Sequence, residues 1–511
     1  MTKRNRPGRK TSLLDHGQLR QLGLTSLAGG VPRTRPVYRH VVRALERGIS
    51  NGTLAPGVRL PAERQLALSL GVSRTTVVSA YRELEARGLV RGYVGRGTFV
   101  SAAPDSSGAP FAWRGKVAAA ALRSSDSAIR EIVRDSINPK VISLSAGIPA
   151  VDRFPVDTFR RSLDKVIQCD GSALWGHGAT EGQPVFREAI ARRIGGQPDN
   201  VLVLAGAQQG LDLLVRCLID PGDTVVVDRP GYVGAIQTFR AAGARLVGWD
   251  VVNHDLDELE DHLVRYRPKL IYTNPTFHNP TGWTMPIRLR RDLLALASRL
   301  RVPIIEDDMY RGLHFSATPP PSLHSLDTQS IVIYLSGFSK VLAPGLRLGF
   351  LSAARPIVEQ LAIIKQRADL HTQNLAQYVV ADLLEDGTFD AHLAQLRTEH
   401  RRRRDAFAAA LQRHGAASLL RWTMPEGGLY FWCRLGARLQ AANVLARALE
   451  ESVSFVRGET FFVDHAGERE LRLCFTTVSP PRAEEAARRL SRALAAARRE
   501  ATPPPQLVAV V

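Results

Sequence analysis

From about Val141 onward, short apolar runs alternate with amphipathic helical stretches, and this alternation is the strongest constraint on the fold. A strand–helix–strand repeat is typical of an α/β domain with a mostly parallel sheet. We therefore predict an α/β fold, followed from about Phe389 by a smaller subdomain that opens with a charged helix. The predicted strands include Val201–Leu204, Thr224–Val227, Leu270–Thr273, Pro303–Ile305 and Ile331–Leu335, with helices such as Gln208–Leu218 and Arg288–Leu300 between some of them.

The chain has 511 residues, too many for one ordinary domain. A stretch rich in Ser, Ala, Gly and Pro at 101–116 divides it and is typical of a linker. The predicted organisation is a flexible basic arm at 1–35, a compact domain at 36–101, a linker at 102–140 with a short helix near Val117–Arg134, the α/β domain at 141–494 and a disordered tail at 495–511.

Positive charge is concentrated at the N-terminus. Residues 1–100 contain 18 Lys/Arg and 5 Asp/Glu, so they contribute +13 of the net charge of +19. Such a basic segment favours a polyanion-binding module, although a membrane surface or a solvated arm is compatible with charge alone. There is no apolar run of about 18 residues and no secretory signal, so we expect a cytoplasmic protein without a membrane partner. The four scattered cysteines form no CxxC pair, which argues against a metal site or a disulfide framework.

The compact domain contains the pattern of a helix-turn-helix. An amphipathic helix is predicted over about 37–49, and a second helix ends at Gly71. Ser73 is suited to cap a third helix whose first turn, Arg74-Thr75-Thr76, is polar. A helix N-terminus with hydroxyls and an arginine is suited to contact base edges and phosphates. The alternative is a small helical cap with a solvated basic face.

Two strands, Leu89–Arg91 and Gly97–Val100, are predicted next, with a wing between them. Residues 36–100 resemble the GntR-type winged helix-turn-helix through the segments LPAERQLA, GVSRTTV and GRGTFV. Many relatives have an arginine where Val78 stands, so one base contact is expected to be missing. The resemblance implies DNA contacts by Arg64, Ser73, Arg74, Thr75, Thr76, Arg96 and Gly97.

A second group of motifs surrounds Lys340 in the α/β domain. Lys340 follows Ser336-Gly337-Phe338-Ser339, and Arg347 lies seven residues later, beyond a Pro-Gly turn. Residues 203–209 supply a strand, a Gly turn and a helix N-terminus, whose free N–H groups suit a phosphate. An exposed surface lysine is the alternative, and it fits poorly because Lys340 lies between an apolar strand and a Pro/Gly loop.

Three polar residues match the needs of a pyridine ring. Asp307 ends a predicted buried strand, where α/β domains bind ligands, and a carboxylate there keeps a pyridine nitrogen protonated. Tyr310 and Asn279 are candidate partners of the 3′ oxygen of the ring. Asp307 or Asn279 alone is equally compatible with a turn cap, but their occurrence together with Lys340 favours a site.

Residues 141–494 resemble the fold-type-I aminotransferases. The resemblance implies pyridoxal 5′-phosphate as cofactor, with Lys340 as the Schiff-base lysine and Asp307 and Tyr310 as its catalytic partners. It also implies that Arg472 binds the carboxylate of a substrate. The implied cofactor-binding residues are Gly206, Ala207, Gln208, Tyr232, which stacks on the ring, Asn279, Asp307, Tyr310, Ser336, Ser339, Lys340, Arg347 and, from a neighbouring subunit, His177. Gly337 and His177 depart from the family, which usually has Ser or Thr and Tyr at these positions.

The fusion of the two modules resembles the MocR subfamily of bacterial regulators. It implies a homodimeric transcription regulator that binds double-stranded DNA. In this reading an amino-acid or amine effector reacts with the Lys340 aldimine and alters DNA binding. Two alternatives stay open: a working aminotransferase with an accessory DNA-binding domain, since the residues for transamination are intact, and a cofactor-binding protein with degraded chemistry.

Overall fold

The computed structural model describes residues 37–93, 97–101, 116–118, 121, 128–251, 253, 255–464 and 466–501. The chain forms two compact units, residues 1–117 and 118–511. The predicted basic arm, residues 102–115 of the predicted linker and residues 502–511 of the predicted tail lie outside the described residues. None of the helices in the described ranges is both long and apolar enough to cross a bilayer.

Three helices and one hairpin form the described part of the N-terminal unit, as the sequence predicts. Leu45, Leu66 and Val77, one from each helix, are completely buried in their common core. The two strands pair antiparallel. The elements are α1 (Val37–Ser50), α2 (Glu63–Leu70), α3 (Arg74–Ala86), β1 (Val90–Tyr93) and β2 (Gly97–Val100).

The turn between α2 and α3 follows from two residues. Gly71 ends α2 in the left-handed region at φ 64°, which glycine adopts without steric cost. Ser73 then caps α3, because its side-chain oxygen accepts a hydrogen bond from the Thr76 amide at 3.2 Å. The predicted cap is therefore confirmed.

A seven-stranded sheet lies at the centre of the second unit. Its order is β4-β10-β9-β8-β7-β5-β6, and only β10 runs antiparallel to its neighbours. The mostly parallel sheet is as predicted, but β6 and β10 are not among the strands named from the sequence. The strands are β3 (Ile142–Ser143), which lies outside this sheet, β4 (Val201–Leu204), β5 (Thr224–Arg229), β6 (Arg245–Asp250), β7 (Leu270–Thr273), β8 (Ile304–Asp307), β9 (Val332–Gly337) and β10 (Gly349–Ser352).

Helices cover both faces of the sheet. Val225 and Val227 pack in one apolar cluster, whereas Val226 between them packs in another on the opposite face. This explains why the strands are continuous apolar runs rather than alternating ones. The helices are α4 (Ala128–Ile137), α5 (Val156–Asp170), α6 (Pro184–Ile194), α7 (Ala207–Leu218), α8 (Val233–Ala242), α9 (Leu256–Tyr266), α10 (Ile287–Leu300), α11 (Leu323–Leu326), α12 (Arg355–Asp369) and α13 (Asn374–Glu385).

The C-terminal part contains an antiparallel sheet of four strands in the order β11-β12-β15-β14, with helices packed on it. The remaining short strand, β13, pairs with β3. The elements are α14 (Thr388–Arg413), β11 (Leu420–Trp422), β12 (Tyr430–Leu435), α15 (Ala441–Glu450), β13 (Val453–Ser454), β14 (Val456–Arg457), β15 (Glu470–Cys474) and α16 (Pro480–Ala501).

One predicted boundary is wrong. Helix α16 continues to Ala501, past the predicted start of a disordered tail at 495, because Ala497 still packs in the apolar core. Of the short helix predicted at about Val117–Arg134, residues 119–120 and 122–127 lie outside the described residues, and a helix occupies Ala128–Ile137. Its Ile129 and Ile132 pack against the α/β unit.

Candidate functional site

A cavity of about 320 Å³ opens where β4, β5, β7, β8 and β9 end. Its position at the carboxyl ends of the strands is where α/β sheets bind ligands. Predicted site residues make up much of its lining: Ala207, Gln208, Tyr232, Asn279, Asp307, Tyr310, Ser339, Lys340, Arg347 and Arg472. Folding therefore brings together side chains that are up to 265 residues apart in the sequence.

The Lys340 amine is partly buried and donates a hydrogen bond to the Gly147 carbonyl oxygen at 2.5 Å. Burial lowers the pKa of Lys340 to about 8, so a useful fraction of the amine is neutral and nucleophilic near neutral pH. Gly147 has no room for a side chain, because a Cβ there would lie 2.0 Å from the Tyr430 hydroxyl oxygen. The close approach of Gly147 thus gives the lysine its hydrogen-bond acceptor.

Asp307 is buried at the end of β8. The Tyr272 hydroxyl donates to its Oδ2 at 2.5 Å, and the Asn274 side-chain amide donates to its backbone carbonyl. Burial raises the pKa of Asp307 to about 7. Its Oδ1 is also buried and meets no donor in the described part of the chain. A cationic N–H group opposite Oδ1 would satisfy this oxygen and favour the ionised carboxylate.

Asn279 and Tyr310 belong to one buried hydrogen-bond network. The Asn279 side-chain amide donates to the Tyr310 hydroxyl at 3.3 Å, and that hydroxyl lies 3.2 Å from the hydroxyl of Tyr430. The Asn279 backbone amide donates to Asn274 Oδ1 at 2.7 Å. Arg472 Nη1 donates to Asn279 Oδ1 at 2.8 Å, which joins the predicted ring partners to the predicted carboxylate ligand.

The other end of the cavity has the features of a phosphate cradle. Helix α7 begins at Ala207 immediately after Gly206, so its first backbone N–H groups are free of intrahelical partners. Arg347 Nη2 donates to the Ala205 carbonyl at 3.0 Å. A Cβ on Gly206, whose φ is 94°, would lie 2.6 Å from Arg347 Nη2. Only glycine therefore lets the guanidinium reach this helix N-terminus.

Arg472 lies on β15 and is only 3% exposed. Its Nη2 donates to the Ser145 carbonyl at 2.7 Å, and its guanidinium carbon lies 4.2 Å from the centre of the Tyr430 ring. Its buried Nε has no acceptor among the described residues. Together with the hydrogen bond to Asn279, these contacts hold the guanidinium in place. Its Nε–H group is left without a protein acceptor and is suited to a carboxylate.

In the N-terminal unit, Arg64, Arg74 and Thr75 are exposed, as a DNA-contacting surface requires. Arg74 Nη2 forms an ion pair with Glu63 Oε2 at 3.1 Å, which holds the arginine beside the start of α3. Ser73 lies 2.8 Å from the hydroxyl oxygens of Thr75 and of Thr76, so these three predicted contacts form one polar cluster.

The predicted wing is only partly described. Strands β1 and β2 are present, whereas Arg96 lies outside the described residues. Gly97 is needed for packing, because at its φ of 100° a Cβ would lie 2.8 Å from Arg59 Nε. Its predicted DNA contact stays a prediction.

Two family models match the chain. Residues 139–490 match "Aminotransferase class I and II", and residues 37–100 match "Bacterial regulatory proteins, gntR family". A 2-aminoadipate transaminase of Thermus thermophilus is 37% identical over 75% of this chain and 98% of its own length. The probable rhizopine catabolism regulatory protein MocR of Rhizobium meliloti is 32% identical over 82% of this chain and 83% of its own.

The chain belongs to the MocR subfamily of GntR-type transcription regulators. An uncharacterized HTH-type transcriptional regulator of Bacillus subtilis, YdfD, is likewise 31% identical to this MocR-type chain over 83% of it and 90% of the relative. Among solved structures, the α-aminoadipate aminotransferase LysN of Thermus thermophilus, complexed with N-(5′-phosphopyridoxyl)-L-leucine, superposes with a TM-score of 0.72. It is 37% identical and covers 76% of this chain and 99% of its own. The predicted fold-type-I domain is confirmed.

Pyridoxal 5′-phosphate is the cofactor of this MocR-type regulator. Two features fit it. The unpartnered Asp307 Oδ1 suits a protonated pyridine nitrogen, and the free N–H groups at Ala207 beside Arg347 suit a phosphate.

The structure does not bring Ser336 to the cavity. Its hydroxyl donates to the Asp308 carbonyl at 2.8 Å and lines a different cavity, so its predicted role as a cofactor ligand is wrong. Gly337 has little room for the hydroxyl residue of relatives, because a Cβ there would lie 3.1 Å from Gly349 Cα. Of the two serines, Ser336 and Ser339, it is Ser339 that lines the cavity.

His177 is exposed and does not line the cavity within one chain. Its ring centre lies 5.7 Å from that of His371, in an edge-to-face contact. Its predicted contact with the phosphate of a neighbouring subunit stays a prediction.

The sequence did not single out several residues of the site. Tyr272, Asn274 and Tyr430 support the ring-binding residues through long-range hydrogen bonds. No motif contains them, and only the pairing of β7 with β8 reveals that Tyr272 lies near Asp307. Ile129 and Ile132 of α4 line the cavity as well.

Proposed function

We propose that this MocR-type regulator binds an amino-acid effector at the Lys340 site and changes its affinity for double-stranded DNA in response. One observation supports the proposal most: a single chain combines a GntR-type reader, whose polar helix start is exposed, with a complete set of amine-binding groups around Lys340. We expect it to act in the cytoplasm, at the nucleoid.

Each residue has a proposed task. The cofactor, when bound, supplies an aldehyde that reacts with amines and a ring that withdraws electrons. Lys340 provides a partly neutral amine beside the Gly147 carbonyl. Asp307 would accept a hydrogen bond from the ring nitrogen, and Arg347 and the Ala207 amide would hold the phosphate.

The remaining groups face the ring oxygen and the effector. Tyr310 and Asn279, which lie within hydrogen-bond distance of each other, would hold the 3′ oxygen, and Tyr232 of the cavity lining would contact the ring. Arg472 binds the effector carboxylate through the guanidinium that Ser145 and Asn279 hold in place.

We further propose a homodimer. Trp175 is 69% exposed and Leu370 is 56% exposed, and both lie near His177 or His371 in the sequence. Large exposed apolar side chains around one segment favour a protein contact. Two readers in a dimer suit a pair of DNA half-sites.

The test uses the full chain loaded with cofactor and a duplex selected by this protein from a random library. Addition of an effector amino acid should change cofactor absorbance and DNA affinity over the same concentration range. Lys340→Ala should still bind the duplex but lose the response, whereas Lys269→Ala, at an exposed lysine, should keep it. Absorbance changes with every reactive amino acid but constant DNA affinity would contradict the regulator.

An aminotransferase is the second candidate, because the residues for transamination are assembled and a transaminase is 37% identical. A multiple-turnover assay with amino acids and 2-oxoglutarate separates the two. Rapid turnover without any effect on DNA binding would favour the enzyme, and a response without turnover would favour the regulator.

A further inference from the structure

The turn between β4 and α7 forms the phosphate cradle, and side chains hold both backbone polar groups of its first residue, Ala205. The Ala205 N–H group donates to Gln209 Oε1 at 2.7 Å, and its carbonyl oxygen accepts from Arg347 Nη2 at 3.0 Å. Gly206 and the start of α7 follow directly. Gln209 therefore fixes the residue on which the Arg347 guanidinium rests and from which the free N–H groups of α7 begin.

A second hydrogen bond fixes the side chain of Gln209 itself. Its Nε2 donates to Asp369 Oδ2 at 2.6 Å, and Lys365 Nζ donates to the other oxygen of the same carboxylate, Oδ1, at 2.9 Å. Both ends of the Gln209 amide are thus bonded, which determines its orientation. Gln209 and Asp369 are 160 residues apart in the sequence, so this bond ties the end of α12 to the phosphate cradle.

Neither charge of this pair is favourable for the fold alone. Asp369 is the last residue of α12, where the negative end of the helix dipole disfavours a carboxylate. The Lys365 side chain is completely buried, and a buried ammonium group is costly unless it is paired. Apolar residues in place of a buried ion pair are often as stable or more stable. Locally unfavourable residues of this kind are expected at functional sites, so the pair points to a role in the site.

We propose that Gln209 and Asp369 are positioning residues for the cofactor phosphate and that Lys365 compensates the Asp369 charge. Through Ala205 they hold Arg347 and the free N–H groups of α7 in the arrangement that a phosphate requires. Because this arrangement exists before the phosphate binds, less ordering is needed on binding, which strengthens affinity for the phosphate but not for the ring. The inference rests on the phosphate placement in the proposed function and adds the residues that maintain it.

The experiment compares the affinity of the full chain, freed of cofactor, for pyridoxal phosphate and for pyridoxal, which has the same ring and aldehyde but no phosphate. Absorbance titration gives both Kd values, and the ratio of the pyridoxal Kd to the pyridoxal phosphate Kd reports the phosphate contribution. The variants are Gln209→Met, which removes both hydrogen bonds but keeps the side-chain length, and Asp369→Asn. Gln360→Met, at an exposed position of α12, is the matched control. A contact from a second subunit, such as that predicted for His177, is the same in every variant.

Gln209→Met should lower this ratio about tenfold, since it releases a hydrogen-bonding group that meets a charged ligand, and should leave the Kd of pyridoxal almost unchanged. Asp369→Asn should lower the ratio by a smaller factor, because asparagine keeps an oxygen for one of the two donors. The double variant should match Gln209→Met alone, since residues that act through one another are not additive. Gln360→Met should behave as wild type. Gln209→Glu keeps an acceptor for Ala205 but turns an oxygen toward Asp369; it should also lower the ratio, and it covers the case that Gln209→Met folds poorly.

Three results would overturn the inference. One is an unchanged ratio in Gln209→Met. Another is an equal loss of affinity for both ligands, which would show a general structural role. The third is additive losses in the double variant, because Asp369 would then not act through Gln209.

Arg347→Ala separates this inference from the proposed function. A lower ratio in Arg347→Ala with an unchanged ratio in Gln209→Met would overturn the inference alone. An unchanged ratio in Arg347→Ala would mean that the phosphate does not lie beside this arginine, and it would overturn the placement in the proposed function as well.

Discussion

Tyr272→Phe tests the role of Asp307 by removing a single oxygen atom. The Tyr272 hydroxyl donates to Asp307 Oδ2 at 2.5 Å, and the ring is 1% exposed, edge-to-face with Phe239 at 5.9 Å between ring centres. Phenylalanine preserves the ring and its packing. The substitution therefore changes the hydrogen bonding of the carboxylate without opening a cavity.

A hydrogen bond to a charged group contributes about 1.5–3 kcal/mol, which corresponds to roughly one to two pKa units. The Tyr272 hydrogen bond lowers the pKa of Asp307, opposing burial, and the balance is a pKa of about 7. Without this bond the pKa rises further, so Asp307 is mostly protonated at neutral pH. We expect the apparent Kd for pyridoxal phosphate at pH 7 to increase about ten- to hundredfold.

The assay measures cofactor affinity of the apoprotein by absorbance from pH 6 to 9. Affinity should increase with pH as Asp307 ionises, and the midpoint of this increase should lie at least about one pH unit higher in Tyr272→Phe. Tyr334→Phe is the control, because the Tyr334 hydroxyl lies 3.3 Å from the neighbouring Asp308 and lines another cavity. Equal losses in both variants, or an unchanged midpoint, would refute the role given to Tyr272.

Four further outcomes are expected. Lys340→Ala should abolish the absorbance band of lysine-bound cofactor but leave the circular dichroism unchanged; an unaltered visible spectrum would show that another residue binds the cofactor. The rate of cofactor incorporation in wild type should rise about tenfold from pH 7 to pH 9, as the Lys340 amine loses its proton with a pKa of about 8, and a flat profile would contradict this. Arg74→Ala should weaken specific DNA binding by about 1–3 kcal/mol in a titration, and equal loss on unrelated DNA would mean a phosphate contact only. Leu66→Ala should destabilise the N-terminal unit by about 2–5 kcal/mol in urea unfolding, since Leu66 is completely buried in a core within residues 37–100. Cofactor absorbance should stay constant. A loss of stability below about 1 kcal/mol would contradict the burial of Leu66.

Much of the candidate site was predictable because its groups lie at the carboxyl ends of parallel strands. Asp307 ends β8, Lys340 follows β9 and Tyr232 follows β5. The carboxyl ends of parallel strands meet at one edge, so residue type and order along the chain were enough to bring these side chains together. The fold class followed from the same alternation of strands and helices.

Contacts between strands were not predictable in this way. Ser336 and Ser339 are three residues apart, but Ser336 is still in β9 and turns its hydroxyl to the Asp308 carbonyl. Strand β10 was missed because no α-helix separates it from β9, so it falls outside the alternation that predicted the other strands. It also begins with Gly349, where a Cβ would lie 2.9 Å from the Ala207 amide nitrogen. Both outcomes depend on the register of neighbouring strands, which no local pattern contains.

The residues around Lys340 do not by themselves distinguish an enzyme from a sensor. An effector shifts the balance between two DNA-binding states only by the difference in its affinity for them. Contacts deep in the cavity, such as those of Arg472 and Asp307, belong to one hydrogen-bonded network and are expected to be alike in both states. Contacts whose free energy differs between the two DNA-binding states are therefore what a sensor requires and a transaminase does not.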